Sequence, residues 1–248
     1  MIDLNADLGE GVGTDGDLLP YVTSVNVACG AHAGDLETIR RTVELARTHG
    51  VGIGAHPSFP DREGFGRRAM ALRAGDVVAT VAAQIEVVAG VARDAGVRLQ
   101  HVKPHGALYN QAVADHALAA AIGDAVRRVD RALIVVALAG SPLVTVLLDL
   151  GLRVAQEAFI DRGYSSGGTL MPRSRPGALI TDPATAAERA VLLATEHVVS
   201  TESGETITVD ADTLCIHGDT PRAAALAKAV RQALDQAGVG VRRLDAFL

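Results

Sequence analysis

The sequence predicts an α/β fold in the form of a single-domain (β/α)7-type barrel, a distorted relative of the TIM barrel. Short β-like runs alternate with helix-like runs along the chain, as expected when crossover helices join parallel strands. No linker or change of composition divides the 248 residues. Ionisable and amide side chains stand at the ends of nearly every predicted strand. A doubly wound sheet would concentrate them near one switch point, whereas a barrel gathers them around its mouth.

The strands are predicted first, because they place the polar residues. Seven runs qualify: Ile2–Leu8, Ser24–Cys29, Val51–His56, Gln100–His105, Leu133–Ala139, Arg153–Phe159 and Thr213–His217. Residues Val198 to Val209 look like a small hairpin inserted before the last strand, so one barrel domain is expected over residues 1–248.

Six helices are predicted between these strands from capping residues, prolines and closing glycines. The signals are Asp35 to Gly50, Asp76 to Gly96, a start at Asp115, Ser141-Pro142 to Gly151, and prolines in the first helical position at Asp182-Pro183 and Thr220-Pro221.

Composition narrows the class of protein. The chain is 48% hydrophobic and 21% charged with a formal charge of -6, which fits a globular enzyme and argues against nucleic-acid binding. Two cysteines, Cys29 and Cys215, fit a reducing compartment and exclude a disulfide framework. The amino terminus is too polar for a signal peptide, and the longest apolar run, Ala132 to Ala139, is far shorter than a membrane span. We expect a cytoplasmic protein without a membrane partner.

Two strands carry polar residues on alternate positions. Asp3, Asn5 and Asp7 share one face of the first strand, which suits either the interior of a barrel near a site or the wet face of an exposed edge strand. His101, Lys103 and His105 share one face of the fourth strand. A lysine between two histidines could hold an anion or a carbonyl group, with proton transfer available near neutral pH.

Further histidines and carboxylates follow other strands. His32 follows the second strand, and His56 and His217 end the third and the seventh. With Asp7 and His105 they could ligate a divalent metal. No sequential spacing such as H-E-x-x-H supports a metal, so its presence stays open.

The sixth strand leads into a second group of charged residues. Glu157 and Asp161 share parity if that strand stays regular, and beside Arg162 they could act as a general base and an anion clamp, or lie in a solvated loop. Asp219 is interpreted either as a site residue or as a cap for the following helix, and the two cysteines as small buried hydrophobes. The loops add arginines suited to a carboxylate or phosphate, or to the surface: Arg62, Arg67, Arg68, Arg173 and Arg175.

Six blocks of sequence resemble the LamB/YcsF family, in family order and from end to end of the chain. They are residues 3–11, 28–35, 54–57 with 60–61 and 64–68, 102–110, 161–164 and 215–219, and they include Gly54-Ala-His-Pro57, Val102-Lys-Pro-His-Gly106 and Cys215-Ile-His-Gly-Asp219. The resemblance implies a barrel of the glycoside hydrolase/deacetylase type. It also implies ATP-dependent cleavage of 5-oxo-L-proline to L-glutamate, with ATP and magnesium required and with two partner subunits, B and C.

The residues fit that chemistry. A lactam amide is a poor electrophile, and phosphorylation of its carbonyl oxygen would make attack by water easier. Asp7, Lys103, His105 and Asp161 are the candidate catalytic residues. The candidates for binding substrate or phosphate are Asn5, Glu10, His32, His56, Arg67, Tyr109, Glu157, Arg162, His217 and Asp219.

Two other functions remain open at this point. One is a metal-dependent amide or N-acetyl hydrolase that does not use ATP, which the histidines would permit. The other is a non-catalytic subunit that binds the substrate for catalytic partners. The sequence contains no Walker A motif, so it does not indicate which subunit would bind ATP.

Overall fold

A computed structural model describes residues 1–13 and 15–248 of the protein. Across that part of the chain, seven parallel strands close into a barrel in the order β1-β2-β3-β4-β5-β6-β9. Those strands are β1 Asp3–Leu8, β2 Ser24–Ala28, β3 Gly52–His56, β4 Leu99–Val102, β5 Ile134–Leu138, β6 Arg153–Phe159 and β9 Thr213–His217. The predicted barrel is therefore confirmed. Since β1 pairs with both β2 and β9, it is not an exposed edge strand.

Helices follow most strands and cover the outside of the barrel. They are α1 Asp15–Leu18, α2 Leu36–His49, α3 Ala74–Asp94, α4 Gly106–Ala112, α5 His116–Val129, α6 Pro142–Asp149, α7 Pro183–Thr195 and α8 Ala223–Gln236. Asp35, Asp115 and Asp182 cap α2, α5 and α7 by accepting backbone N–H groups, as predicted.

Three details of the predicted strands and helices are wrong. Pro221 is not in the first position of a helix, because Arg222 adopts a left-handed conformation (φ 64°) and α8 begins only at Ala223. The fourth strand ends at Val102 rather than at His105, because residues 103–105 connect β4 to α4, which begins at Gly106. The short helices α1 and α4 were not predicted, because four and seven residues are too few to show a full apolar stripe.

A small hairpin lies apart from the regular alternation of strands and helices. Strands β7 Val198–Ser200 and β8 Thr206–Thr208 form an antiparallel hairpin before β9.

Helix α3, with 21 residues, is the one described helix long and apolar enough by length and composition to cross a membrane. Its buried face, which includes Val81, Ile85 and Val88, belongs to the main hydrophobic core, as the face of a barrel helix does.

The apolar core lies between the strands and the helices. Outward-facing strand residues such as Leu4, Val27 and Ala55 are fully buried there. Inward-facing residues of β1 and β2 are largely polar and bond to one another. A small apolar cluster of Ile134, Val136, Ala155 and Leu244 is separate from the main core. The barrel interior therefore contains a hydrogen-bonded network beside a small apolar cluster.

Asp3 is the buried acid at the start of that network. Its carboxylate accepts hydrogen bonds from Ser24 Oγ (2.6 Å), Thr213 Oγ1 (2.6 Å) and Thr23 Oγ1 (2.7 Å). Burial penalises the charged form more than these bonds favour it, and the pKa of Asp3 is raised to about 6. Asp3 thus changes charge in a pH range where ordinary carboxyl groups are already ionised.

This raised pKa predicts an unusual pH dependence for Asp3→Asn. Between the ordinary value of 3.8 and about 6, the folded protein holds a proton that the unfolded chain has lost, so the contribution of Asp3 to stability falls as pH rises. We expect the free energy of unfolding of the wild type to fall relative to Asp3→Asn by on the order of 3 kcal/mol from about pH 4 to about pH 7. Urea unfolding across that range measures it. The exposed control Asp94→Asn should follow the wild type, and a constant difference for Asp3→Asn would contradict the prediction.

Candidate active site

A cavity of about 580 Å³ opens at the carboxyl ends of the barrel strands. Asp7, His56, Phe159 and His217 reach it from the ends of β1, β3, β6 and β9, and Lys103 follows β4. The carboxyl ends of parallel barrel strands share one face, which is where barrel enzymes place their chemistry. This cavity is therefore the candidate active site.

Lys103 is the central cation of the site. Its Nζ lies 3.0 Å from Asp7 Oδ1, 2.8 Å from Glu157 Oε1 and 3.0 Å from Cys215 Sγ, and the residue is 2% exposed. Burial alone would lower the pKa of the lysine, but the neighbouring carboxylates and the thiol hold it well above its usual value. Lys103 therefore stays an ammonium group. Cys215, expected to be only a small buried hydrophobe, is a polar neighbour of this cation.

Asp7 is held in its ionised form. Oδ1 also accepts a hydrogen bond from Asn26 Nδ2 (2.8 Å), and Oδ2 lies 3.4 Å from His56 Nε2. Burial opposes ionisation, but His56 and Lys103 outweigh it, so the pKa of Asp7 is well below normal. In return, the pKa of His56 is raised by Asp7 against the effect of burial. The pair forms a polar wall of the cavity.

Glu157 lies on the other side of the lysine. Tyr109 donates its hydroxyl to Oε2 (2.8 Å), and Asn5 Nδ2 donates to Oε1 (3.2 Å). Burial and the nearby carboxylate both raise the pKa of Tyr109 well above normal, so it remains a donor. Lys103, Asp7, Glu157, Tyr109 and Asn5 thus form one connected set, all of them predicted site residues.

Asp161 and Glu157 do not form the expected carboxylate pair. Asp161 comes after β6 and turns towards His217, accepting bonds from its backbone N (3.0 Å), its Nδ1 (3.0 Å) and Thr220 Oγ1 (2.6 Å). Burial opposes ionisation of Asp161, but His217 and Thr220 hold its pKa below normal. Neither acid lies in a solvated loop, since both are fully buried. His217, not Asp161, is the member of this pair that lines the cavity.

Four predicted residues form a second cluster beside the cavity. Glu10 Oε1 lies 3.3 Å from His32 Nε2 and 3.4 Å from His105 Nδ1, while His56 Nε2 lies 3.0 Å from His105 Nδ1. The rings of His32 and His105 are stacked with centroids 3.8 Å apart. Gly66 (φ 65°) makes this possible, because a Cβ there would lie 2.9 Å from both His32 and His105.

The arginines divide into two groups. Arg67 and Arg173 both pair with Asp219 at the cavity rim, so Asp219 is not a helix cap. Arg162 also lines the cavity, and its guanidinium donates to the backbone carbonyls of Met171 and Ala178. The other three do not line the cavity, and their partners are elsewhere: Arg62 with the Gly30 and Gly34 carbonyls, Arg68 with Asp61 and Glu63, and Arg175 with Glu202.

His101 does not line the cavity with Lys103 and His105. It lies deeper, with Nε2 2.8 Å from Asn26 Oδ1, and burial lowers its pKa to about 3, so it is neutral. Asn26 links Asn5 and Asp7 through its amide and was missed by the sequence analysis. The inward parity that it shares with Ser24 on β2 is the signal that could have identified it.

Comparison with known proteins shows which family this chain resembles. The model of the LamB/YcsF family matches residues 2–248. The chain belongs to the LamB/YcsF family. A relative from Heliobacterium modesticaldum, named as the A subunit of 5-oxoprolinase, is 52% identical over 97% of each chain. The crystal structure of the lactam utilization protein from Thermus thermophilus has 47% identity and a TM-score of 0.93, covering 98% of this chain and 99% of that one.

The barrel of this LamB/YcsF protein also has more distant structural relatives. The family 4 carbohydrate esterase from Streptomyces lividans superposes with a TM-score of 0.51 at 10% identity, over 97% of this chain and 90% of that one. At this identity the likeness concerns the fold alone. It confirms the expected deacetylase-like barrel.

The buried ion pairs predict a large loss of stability for Lys103→Met. Removing the ammonium leaves Asp7 and Glu157 buried without their cation, which should cost about 3–5 kcal/mol. Adding Asp7→Asn and Glu157→Gln to Lys103→Met should recover part of that loss. Urea unfolding measures both steps, and Lys228→Met on the exposed face of α8 is the matched control, with an effect within about 0.5 kcal/mol. Equal stabilities of Lys103→Met and the wild type would show that the network does not hold the barrel.

Proposed function

We propose that this LamB/YcsF protein is the A subunit of an ATP-dependent 5-oxoprolinase. In this reaction 5-oxo-L-proline is opened to L-glutamate while ATP, with magnesium, becomes ADP and phosphate. The name of the Heliobacterium modesticaldum relative, with which the chain shares 52% identity, supports the assignment. The observation that carries it is the ammonium of Lys103 beside an ionised Asp7 at the wall of a cavity bordered by arginines. We place the reaction in the cytoplasm, where ATP is available, together with partner subunits B and C.

The chemistry requires activation of a stable amide. Transfer of the γ-phosphoryl group from ATP to the lactam oxygen turns the ring carbon into a better electrophile. Water then adds to that carbon, the C–N bond breaks with protonation of the nitrogen, and a second water releases phosphate from the acyl phosphate. The protein must therefore bind an anionic substrate, stabilise negative charge on oxygen and move protons.

We assign proton transfer to His217, with Asp161 as its positioning residue. Asp161 holds the Nδ1–H of His217, which leaves Nε2 as the nitrogen that exchanges a proton with substrate. His105 is less suited to this role than expected. Its Nε2 faces the Phe65 carbonyl and its Nδ1 faces His56, so both ring nitrogens are engaged within the protein.

Binding of the anionic groups is assigned to the cationic side chains of the cavity. Lys103 and Arg162 are buried at its wall, while Arg67 and Arg173 stand at the rim. Guanidinium groups suit carboxylates and phosphates because they donate in pairs. We assign the substrate carboxylate to Arg162 with Lys103, and the phosphate formed on the lactam to the two rim arginines, which Asp219 holds together.

The first test is release of glutamate and phosphate from 5-oxo-L-proline and Mg-ATP. We expect both products from this chain mixed with subunits B and C, and neither from the chain alone. In that mixture, Asp7→Ala and His217→Asn should each lower kcat by about 100-fold or more. His217→Asn removes the group that transfers the proton, and Asp7→Ala removes the carboxylate that holds Lys103 and His56 at the cavity wall. Asp161→Asn should lower kcat and displace the pH profile. His49→Asn on the exposed end of α2 is the control and should keep wild-type turnover.

The same mixture separates the competing functions. Release of amine or acetate from amide substrates without ATP would overturn the proposal in favour of a metal-dependent hydrolase. Binding of 5-oxo-L-proline with full turnover in Asp7→Ala and His217→Asn would assign the chemistry to the partners and leave this chain with a binding role only.

A further inference from the structure

Four possible metal ligands converge on one point next to the cavity, and the function proposed above uses none of them as a set. Glu10 Oε1, His32 Nε2, His56 Nε2 and His105 Nδ1 lie within 4.8 Å of one another. The separations are 3.0 Å for His56 to His105, 3.3 Å for Glu10 to His32, 3.4 Å for Glu10 to His105 and 4.0 Å for Glu10 to His56. Ligands bound at about 2.1 Å around a tetrahedral zinc ion are about 3.4 Å apart.

The surrounding backbone fixes which ring nitrogens carry hydrogen. His56 Nδ1 lies 2.7 Å from the Lys103 carbonyl, and His105 Nε2 lies 2.9 Å from the Phe65 carbonyl. A carbonyl oxygen only accepts, so both of these nitrogens are donors. Unless one of the rings carries a second proton, His56 Nε2 and His105 Nδ1 are then lone pairs that face each other at 3.0 Å. Such an arrangement needs a cation between them, and a carbonyl behind each ring is how proteins orient metal-binding histidines.

The burial of the Glu10 carboxylate also favours a cation at this position. Its side chain is 3% exposed, and within residues 1–13 and 15–248 its ion-pair partners are the three histidines. An imidazole balances this carboxylate only when it carries a second proton. Because an unpaired buried carboxylate is costly, a positive charge is expected among these four side chains.

We infer that Glu10, His32, His56 and His105 bind one divalent transition-metal ion of the zinc type. Three imidazoles and a carboxylate suit Zn²⁺ and Co²⁺ better than Mg²⁺, which prefers oxygen ligands. The inference does not rest on the proposed function, since it concerns binding by this chain alone.

The other candidate ligands are engaged elsewhere. Asp7, Cys215 and His217 also lie near one another, but Lys103 bonds to Asp7 and Cys215. Asp161 holds His217 Nδ1. The ion is therefore assigned to the Glu10 cluster and not to this second group. Its effect on the site is to fix the rings of His56 and His105, which both line the cavity.

The experiment is metal binding by the purified full-length chain. After treatment with a chelator, the protein is titrated with Zn²⁺ alone and with Co²⁺ alone, and bound metal is measured by elemental analysis. We expect one ion per chain, a visible Co²⁺ spectrum typical of tetrahedral nitrogen and oxygen ligands, and no competition by Mg²⁺. Glu10→Gln and His105→Asn should each weaken Zn²⁺ binding by at least about 100-fold, since loss of an outer-shell partner alone costs about 10–100-fold.

His217→Asn is the control variant, because it removes a histidine of the same cavity from outside the cluster. It should bind Zn²⁺ as the wild type does. Far-ultraviolet circular dichroism of each variant without metal shows whether it is folded, and a variant that does not fold is replaced by His32→Asn. Failure of the folded wild type to take up Zn²⁺ or Co²⁺ would overturn the inference and assign the charge to a proton shared by His56 and His105. Binding unchanged in Glu10→Gln and His105→Asn, or lost in His217→Asn, would place the ion elsewhere and overturn it as well.

Discussion

The ammonium of Lys103 is the interaction on which the interior of this barrel depends. Two carboxylates from opposite parts of the chain, Asp7 on β1 and Glu157 on β6, approach each other only because this cation lies between them. Without it, their repulsion and the loss of water would act against closing the barrel at that level. The same contact also sets the character of the cavity above it, since an ionised acid and a permanent cation are held there out of bulk water.

The rest of the architecture follows from the placement of apolar residues. The aliphatic side chains pack between strands and helices, where Leu4, Val27 and Ala55 lie. The apolar core that stabilises the protein therefore lies outside the barrel and not within it. The inner faces are therefore available for polar groups, provided that each finds a partner. Hydrogen bonds from Asn5 and Asn26 connect neighbouring strands across the interior and meet that condition.

Much of the barrel could be predicted because it depends on local patterns. The alternation of Asp3, Asn5 and Asp7 indicated an inward polar face, and capping residues such as Asp115 marked helix starts. Prediction failed where the chain leaves regular structure. Strand parity does not extend to Asp161, because the chain has left β6 before that residue and turns it towards His217. These positions depend on contacts between distant segments.

The histidine cluster also depends on contacts between distant segments, which the sequence did not reveal. His32, His56 and His105 were each recognisable at or just after the end of a predicted strand, but their grouping with Glu10 depends on how distant segments fold together. A close approach such as that of Gly66 to two of these rings leaves no periodic trace in the sequence.

Cys215 is a residue whose polar contact the sequence did not indicate. A small residue in an apolar run is predicted to be part of the hydrophobic core. Only the closed barrel brings the sulfur of Cys215 to Lys103.

The bond between Tyr109 and Glu157 has a spectroscopic consequence. The chain has three tyrosines and no tryptophan, so its intrinsic ultraviolet emission comes from tyrosine alone. A phenol hydrogen-bonded to a carboxylate emits weakly, and Tyr109 donates to Glu157 at the cavity wall. A molecule that enters the cavity and draws either partner away would change that emission. The protein therefore carries a native optical reporter of its own cavity, without any added label.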